Sequence, residues 1–367
     1  MRRYLLPIGI VLGTAAFGFF LRQGPMLSAA PIVEKSSSPI EKRPASESQS
    51  VIKTNDLFCE KSYDSICKGN AVADPTGETS LDYRGEIRAL RVLRRIVRTN
   101  PGWTTEQIED ELVTRIYTPE RKEKLHRIFE LVRAQMIEYI KQQSSKTFSD
   151  VDKATLIERI SKVNLELPVD RTTYSDATDL YTKSEIYYER SHDGEIHRVR
   201  VGGAYVLNTS SEFSIIFTMA HELAHSIDPC GIQGENLNQA VYNELVQCFV
   251  DSQWIKKEEA QCGNKDKTSE VFADWVGSEI LARFLRTQTK YSIEEKTRAA
   301  INAVRDLCDD SSGFEKVNLE YYPTDVIRVK SIFSKNTLLR KELQCVNSGT
   351  VKPYCRFEPP KLKGPQR

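Results

Sequence analysis

Apolar residues recur at helical spacing in several stretches of this chain. In 85–98 they are Ile87, Leu90, Val92, Leu93 and Ile96, and Asn100-Pro101-Gly102 breaks the run. A longer amphipathic helix is expected over 121–143, through Leu125, Ile128, Leu131, Val132, Met136 and Ile140, and another over 154–163. The run Ile215 to Ala220 reads as a buried helix. Thr209-Ser210-Ser211-Glu212 offers it a capping-box start. Asp228-Pro229 ends it, because proline cannot continue a helix and restricts the residue before it. A further apolar helix opens at Ser269, as N-cap, and runs to about Leu285. Between these blocks the period changes. Ile186-Tyr187-Tyr188, an Asp193-Gly194 turn, and 196–208 with alternating Val199 and Val201 predict a hairpin ahead of the buried helix. The fold class expected is mainly α with a small β-sheet (α+β).

The ends of the chain follow other patterns. Met1-Arg2-Arg3 followed by an apolar run from Tyr4 to Leu21 has the form of an export signal. A cleaved signal peptide is preferred over a membrane anchor through residues 4–21, which would obey the positive-inside rule. Either places the rest of the chain outside the cytoplasm, secreted or periplasmic. Residues 31–55 are rich in Ser, Pro, Glu and Lys without apolar period and read as a disordered linker. The expected organisation is 1–30 signal peptide or anchor, 31–55 linker, 56–165 helical region and 166–367 catalytic domain. A formal net charge of +1 gives no basic footprint for nucleic acid. The arginines at 88, 91, 94, 95 and 98 read as a solvated face, with an acidic partner as the alternative. Eight cysteines, an even number in an exported chain, argue for disulfides. With no Cys-x-x-Cys among them, a thiolate zinc site is disfavoured.

His221-Glu222-Leu223-Ala224-His225 carries the candidate chemistry. Two histidines four residues apart project from one helix face and reach one Zn²⁺, and Glu222 between them faces a water on the metal as general base. A catalytic zinc needs a third protein ligand and an open position. Glu270 and Asp274, also four apart, share a face of the later apolar helix. Glu270 is the expected third ligand, and Asp274 the acceptor that fixes the tautomer of a ligand histidine. His126 is expected to be an ordinary helix residue, and His192 and His197 to be exposed.

These residues resemble the neprilysin-like zinc metallopeptidases, whose pattern is HExxH, an Asp three residues on, then ExxxD on a second helix: here His221, Glu222, His225, Asp228, Glu270 and Asp274. The tail is similar too, through Arg328-Val329, Asn336, Cys345, Pro353 and Cys355-Arg356-Phe357, as is the spacing of Phe58-Cys59 to Cys67. The likeness covers about 200–357 plus that cysteine pair. It implies a zincin-like catalytic domain with one Zn²⁺ per chain and a peptide or protein substrate. It makes Asp228 an acceptor that supports the metal ligands from outside, and Arg328 a grip on a substrate carbonyl. It implies the disulfides Cys59–Cys345, Cys67–Cys308 and Cys248–Cys355, which leaves Cys230–Cys262. The family's oxyanion His falls on Tyr322 and its preceding Asp on Glu320, with Tyr321 competing for the role. The family's Asn-Ala substrate clamp aligns with either Ala204-Tyr205 or Ile186-Tyr187. The chain is short for the family, so the helical cap is expected to be reduced and the cleft open to larger substrates.

The resulting expectation is an exported zinc metalloendopeptidase that uses a zinc-activated water with Glu222 as base and Tyr322 at the oxyanion. The alternative is a weak or inactive zinc-binding pseudopeptidase acting as an extracytoplasmic interaction module.

Overall fold

The computed structural model describes residues 54–70, 72–78, 85–167, 186–191, 197–208, 211–232, 237–262, 267–308, 322–345 and 354–359. The expected signal or anchor, most of the linker, the Asp193-Gly194 turn, His192, Glu320, Tyr321 and Pro353 lie outside them. No described helix is long and apolar enough to cross a membrane.

Residues 51–367 cluster as one compact unit, and among its described residues the structure is mainly helical with one three-stranded sheet. Helices α1 (Thr54–Tyr63), α2 (Gly85–Thr99), α3 (Thr105–Ile116), α4 (Pro119–Lys141) and α5 (Asp150–Lys162) come first. The sheet follows as β1 (Asn164–Glu166), β2 (Ile186–Arg190) and β3 (His197–Val201). Then come α6 (Gly203–Asn208), α7 (Glu212–Ala224), α8 (Gln239–Asp251), α9 (Thr268–Thr287) and α10 (Ile293–Val304). A wide helical stretch, Val326–Phe333, and α11 (Thr337–Glu342) close the tail. Helix α7 is the centre of the packing. Ile215, Ile216, Phe217, Met219, Ala220, Leu223 and Ala224 are all buried, so an apolar helix found the interior its composition requires. It packs against α4, α9 and α10. At Gly277 of α9 an added Cβ would lie 3.1 Å from Phe217 Cε2, so glycine sets how closely α7 and α9 approach.

The sheet order is β1-β3-β2, with β1 parallel and β2 antiparallel to β3, and Tyr188 opposite Val199. β2 is therefore an edge strand, and it borders α7. His197, Val199 and Val201 face the core in alternation. Arg198 and Arg200 on the other face pair with Glu166 and Glu189. This alternation corrects the expectation of an exposed His197: it is buried, and its Nδ1 meets the Tyr188 hydroxyl. The second strand is also shorter than its sequence suggested. It stops at Val201, and Gly203–Asn208 turns into α6.

Two helix starts differ from expectation. Ser211 is the N-cap of α7, but its hydroxyl makes no cap bond and donates instead to Asp74 Oδ2 at 2.7 Å. Helix α9 begins at Thr268, one residue before Ser269, with Lys267 at the N-cap. All eight cysteines pair, as Cys59–Cys345, Cys67–Cys308, Cys230–Cys262 and Cys248–Cys355. The first two join the opening helices to the tail across 286 and 241 residues. Phe58 of α1 meets Phe333 edge-on at 6.4 Å beside them. Four disulfides fit an oxidising, extracytoplasmic environment.

Candidate metal centre

Helix α7 presents His221 and Glu222 in its last turn, and the chain then tightens into a 3₁₀ turn, His225–Ile227, before Asp228. That turn is held from three sides. Buried Arg159 of α5 donates from Nε to Ser226 O at 2.7 Å and from Nη2 to Gly231 O at 3.1 Å. Arg190 of β2 donates to the same Gly231 carbonyl at 2.8 Å, and Tyr242 of α8 donates its hydroxyl to Ile227 O at 3.1 Å. Asp228 accepts the Gly231 N–H on one oxygen and faces His225 Nδ1 at 3.2 Å with the other. His221 Nδ1 stands 3.0 Å from Asp274 Oδ1. A carboxylate only accepts, so each Nδ1–H donates and each Nε2 is left to face inward.

The inward atoms converge with Glu270. One ligand atom each from His221, His225 and Glu270 lie within 4.8 Å of one another. His221 Nε2 is 3.2 Å from Glu270 Oε2, and His225 Nε2 is 3.8 Å from Glu270 Oε1. Two ligands on a tetrahedral zinc, each bonded at ~2.0–2.1 Å, sit roughly 3.3 Å apart, so this spacing fits a shared ion. Glu270 Oε2 is buried and has no well-directed hydrogen bond. A buried anionic oxygen in that condition calls for a cation. The donor set of two imidazoles and a carboxylate suits zinc and leaves a fourth position open.

The electrostatics agree. Burial works against a charged His221, but its hydrogen bond to Asp274 and the nearby Glu270 carboxylate outweigh that and push it up to about 10. His225 is raised likewise, against its own burial, by Asp228 and Glu270. Burial opposes ionisation of Glu270 and Asp274 as well. His221 and His225 nonetheless bring Glu270 below the usual carboxylate range, and Arg328 with His221 holds Asp274 far below it. Positive charge is thus favoured at the centre whichever cation supplies it.

Glu222 is held differently. Its Oε2 accepts the backbone N–H of Tyr188 in β2 at 2.8 Å, while Oε1 lies 4.0 Å from His221 Nε2. Burial raises its pKa above the ordinary value, the direction a general base requires. Tyr188 also stacks on the His225 ring at 6.2 Å.

Arg328 comes from the wide helical stretch of the tail. Its Nε and Nη2 grip Asp274 at 2.7 and 2.8 Å, and its guanidinium lies 5.3 Å from the Tyr322 ring centroid. One chain of contacts therefore runs from Tyr322 through Arg328 and Asp274 to His221. The expected site residues Glu222, His221, His225, Glu270, Asp228, Asp274, Arg328 and Tyr322 all fall in this region. Of the two alignments for a substrate clamp, Ile186-Tyr187 lies on edge strand β2, whereas Ala204-Tyr205 is buried in α6.

Three participants escaped the sequence reading. The Tyr188 N–H is a backbone group and has no signature. Arg159 lies far away in the chain. Burial pushes Asp306, just after α10, up to about 7, against the opposing charge of Arg328; its Oδ1 has no hydrogen-bond partner among the described residues. No family model matches this chain, and no curated protein or solved structure does either.

Proposed function

We propose that this protein is an exported, zincin-like zinc metalloendopeptidase that hydrolyses peptide bonds in a peptide or protein substrate. The observation that carries the reading is the placement of Glu222. A structural zinc site closes on four protein ligands and has no use for a buried carboxylate beside an open position. Here Glu222 Oε1 faces the space shared by His221, His225 and Glu270, and its other oxygen is fixed by β2.

A zinc ion held by His221, His225 and Glu270 would bring the pKa of its water near neutrality and polarise a carbonyl. Glu222 takes the water's proton on Oε1 and returns it to the leaving amine. Asp274 and Asp228 hold the two imidazoles by Nδ1. Edge strand β2 offers backbone groups to an extended substrate, which then adds as a further strand. Arg328 Nη1 has no described partner and is the atom free to reach a substrate carbonyl. The Tyr322 hydroxyl takes the part of donor to the developing oxyanion.

The test is hydrolysis of a mixed peptide library by the intact chain, with zinc content measured on the same sample. Glu222→Gln should keep about one zinc per chain and lose about 10²–10⁴-fold in rate. Zinc bound without cleavage of any peptide would overturn this reading in favour of a pseudopeptidase that serves as an interaction module.

A further inference from the structure

Helix α2 exposes Arg88, Arg91, Arg94, Arg95 and Arg98 to solvent. Arg88 bonds the Leu207 carbonyl of α6. The guanidinium groups of the other four make no ion pair or hydrogen bond with any described residue; the Arg95 backbone carbonyl accepts the Thr99 hydroxyl. At 3.6 residues per turn the five fall within about 120° of the helix circumference. Ala89 and Ile96, fully buried, occupy the opposite side, where α2 packs on α3 and α6. Beside the arginine arc lie Leu90 and Val97, seven residues apart and therefore nearly in line. They are 40% and 45% exposed, and Trp103, just past the helix end, is 38% exposed. These are three of the few large apolar side chains left open on the described surface.

We propose that this face of α2 docks on an anionic phospholipid surface. The charge is complementary: five exposed guanidinium groups crowd one arc of a chain whose formal net charge is only +1. The apolar residues argue for lipid rather than a soluble polyanion. A helix lying in a membrane interface needs an apolar edge to enter the acyl boundary and cations to meet the headgroups; Leu90 and Val97 border the arginines in that way, and exposed Trp103 follows four residues after the helix ends. Duplex nucleic acid and heparin would meet the cations at their anionic groups and leave the in-line aliphatic pair Leu90 and Val97 unmatched. The proposal is independent of the metal centre and of any membrane-directed role of residues 4–21. It adds a second contact that would set how the folded unit lies on a membrane.

Trp103 supplies the probe. The chain has three tryptophans, and the other two, Trp254 and Trp275, are buried. The intact chain is mixed with vesicles of phosphatidylcholine alone, or of two parts phosphatidylcholine to one part phosphatidylglycerol, and the bound fraction and tryptophan emission are read. Binding should rise with phosphatidylglycerol, fall with added salt, and bring a blue shift that Trp103→Phe removes. Replacing Arg91, Arg94, Arg95 and Arg98 with glutamine should weaken that added binding about fivefold per residue, a few hundredfold together. Replacing the same four with lysine should preserve it, which separates a loss of charge from a loss of fold. Equal binding to both vesicle types would overturn the proposal and credit an apolar segment instead. Insensitivity to the glutamine variant would overturn it too. So would tight binding to heparin with no Trp103 shift on anionic vesicles, because the partner would then be a soluble polyanion.

Discussion

Asp274 has two duties that one experiment can separate. It accepts His221 Nδ1–H at 3.0 Å, and it holds the Arg328 guanidinium through two bonds of 2.7 and 2.8 Å. It is 1% exposed, and the Arg328 side chain 12%. Charge centres about 4 Å apart at an effective dielectric of 20 attract by about 4 kcal/mol. Asp274→Ala leaves a desolvated cation behind, so it should cost about 3–5 kcal/mol, a large fraction of the stability of an ordinary domain. Arg328→Met leaves the opposite charge behind and should cost a similar amount. The double variant removes both charges and should be more stable than the two single losses add up to, by about 3 kcal/mol. Zinc affinity follows a different rule. Once His221 loses its acceptor, affinity should fall about 10–100-fold, and Arg328→Met should not restore it in the double variant. The assay is urea unfolding with disulfides intact, in chelator, to read stability without metal. A parallel competition for zinc against a chromogenic chelator reads affinity. A coupling energy near zero would refute the buried pair, and recovery of zinc affinity in the double variant would refute the orienting role of Asp274.

Three further outcomes are expected. Burial pushes the Asp306 carboxyl up to about 7 in the folded chain from its ordinary value of 3.8, so between those values the folded state binds more protons and stability falls as pH rises. Asp306→Asn should abolish that slope, gaining about 2–4 kcal/mol at pH 8 and little near pH 4 in denaturant titrations. Arg159→Met strips donors from the Ser226 and Gly231 carbonyls and should cost about 2–3 kcal/mol, with a drop in zinc affinity while far-UV circular dichroism is unchanged. Gly277→Ala sets a Cβ 3.1 Å from Phe217 Cε2 and should destabilise by about 1–3 kcal/mol, read as a lower melting temperature. No change in melting would mean that Phe217 has room to turn aside.

The legible parts of the site were those carried by spacing within one helix. His221 with His225, and Glu270 with Asp274, are pairs whose common face follows from 3.6 residues per turn, and α2 and α4 declared themselves by the same period. Some missed elements had a signal. Val241, Tyr242, Leu245 and Phe249 mark α8, and Ser292 with Glu295 forms the capping box that starts α10. Others had none. The bond from Tyr188 N–H to Glu222 depends on which side of β2 faces α7, and that is decided by the pairing of Tyr188 with Val199. His197 looked like a surface residue because histidine usually is one; its burial depends on register, which local composition does not carry.

The same distinction explains why the tail is built as it is. Arg328 must reach Asp274 from a segment more than fifty residues away, and no local pattern holds it there. The segment is instead tied to the start of the chain. Cys59–Cys345 and Cys67–Cys308 close on either side of it, Tyr63 donates its hydroxyl to Asp325, and Arg340 reaches the Cys59 carbonyl at 3.3 Å. Asp325 in turn bonds the Val326 N–H at the start of the wide helical stretch that presents Arg328. The orientation of His221 thus rests, through Asp274 and Arg328, on two bridges that form only under oxidising conditions. Reduction should therefore loosen the metal centre before it unfolds α7 and α9, whose mutual packing needs neither bridge. Zinc release ahead of the loss of helical signal, during a titration with reductant, is the expected order. Simultaneous loss would mean that the opening helices and the metal helices unfold as one.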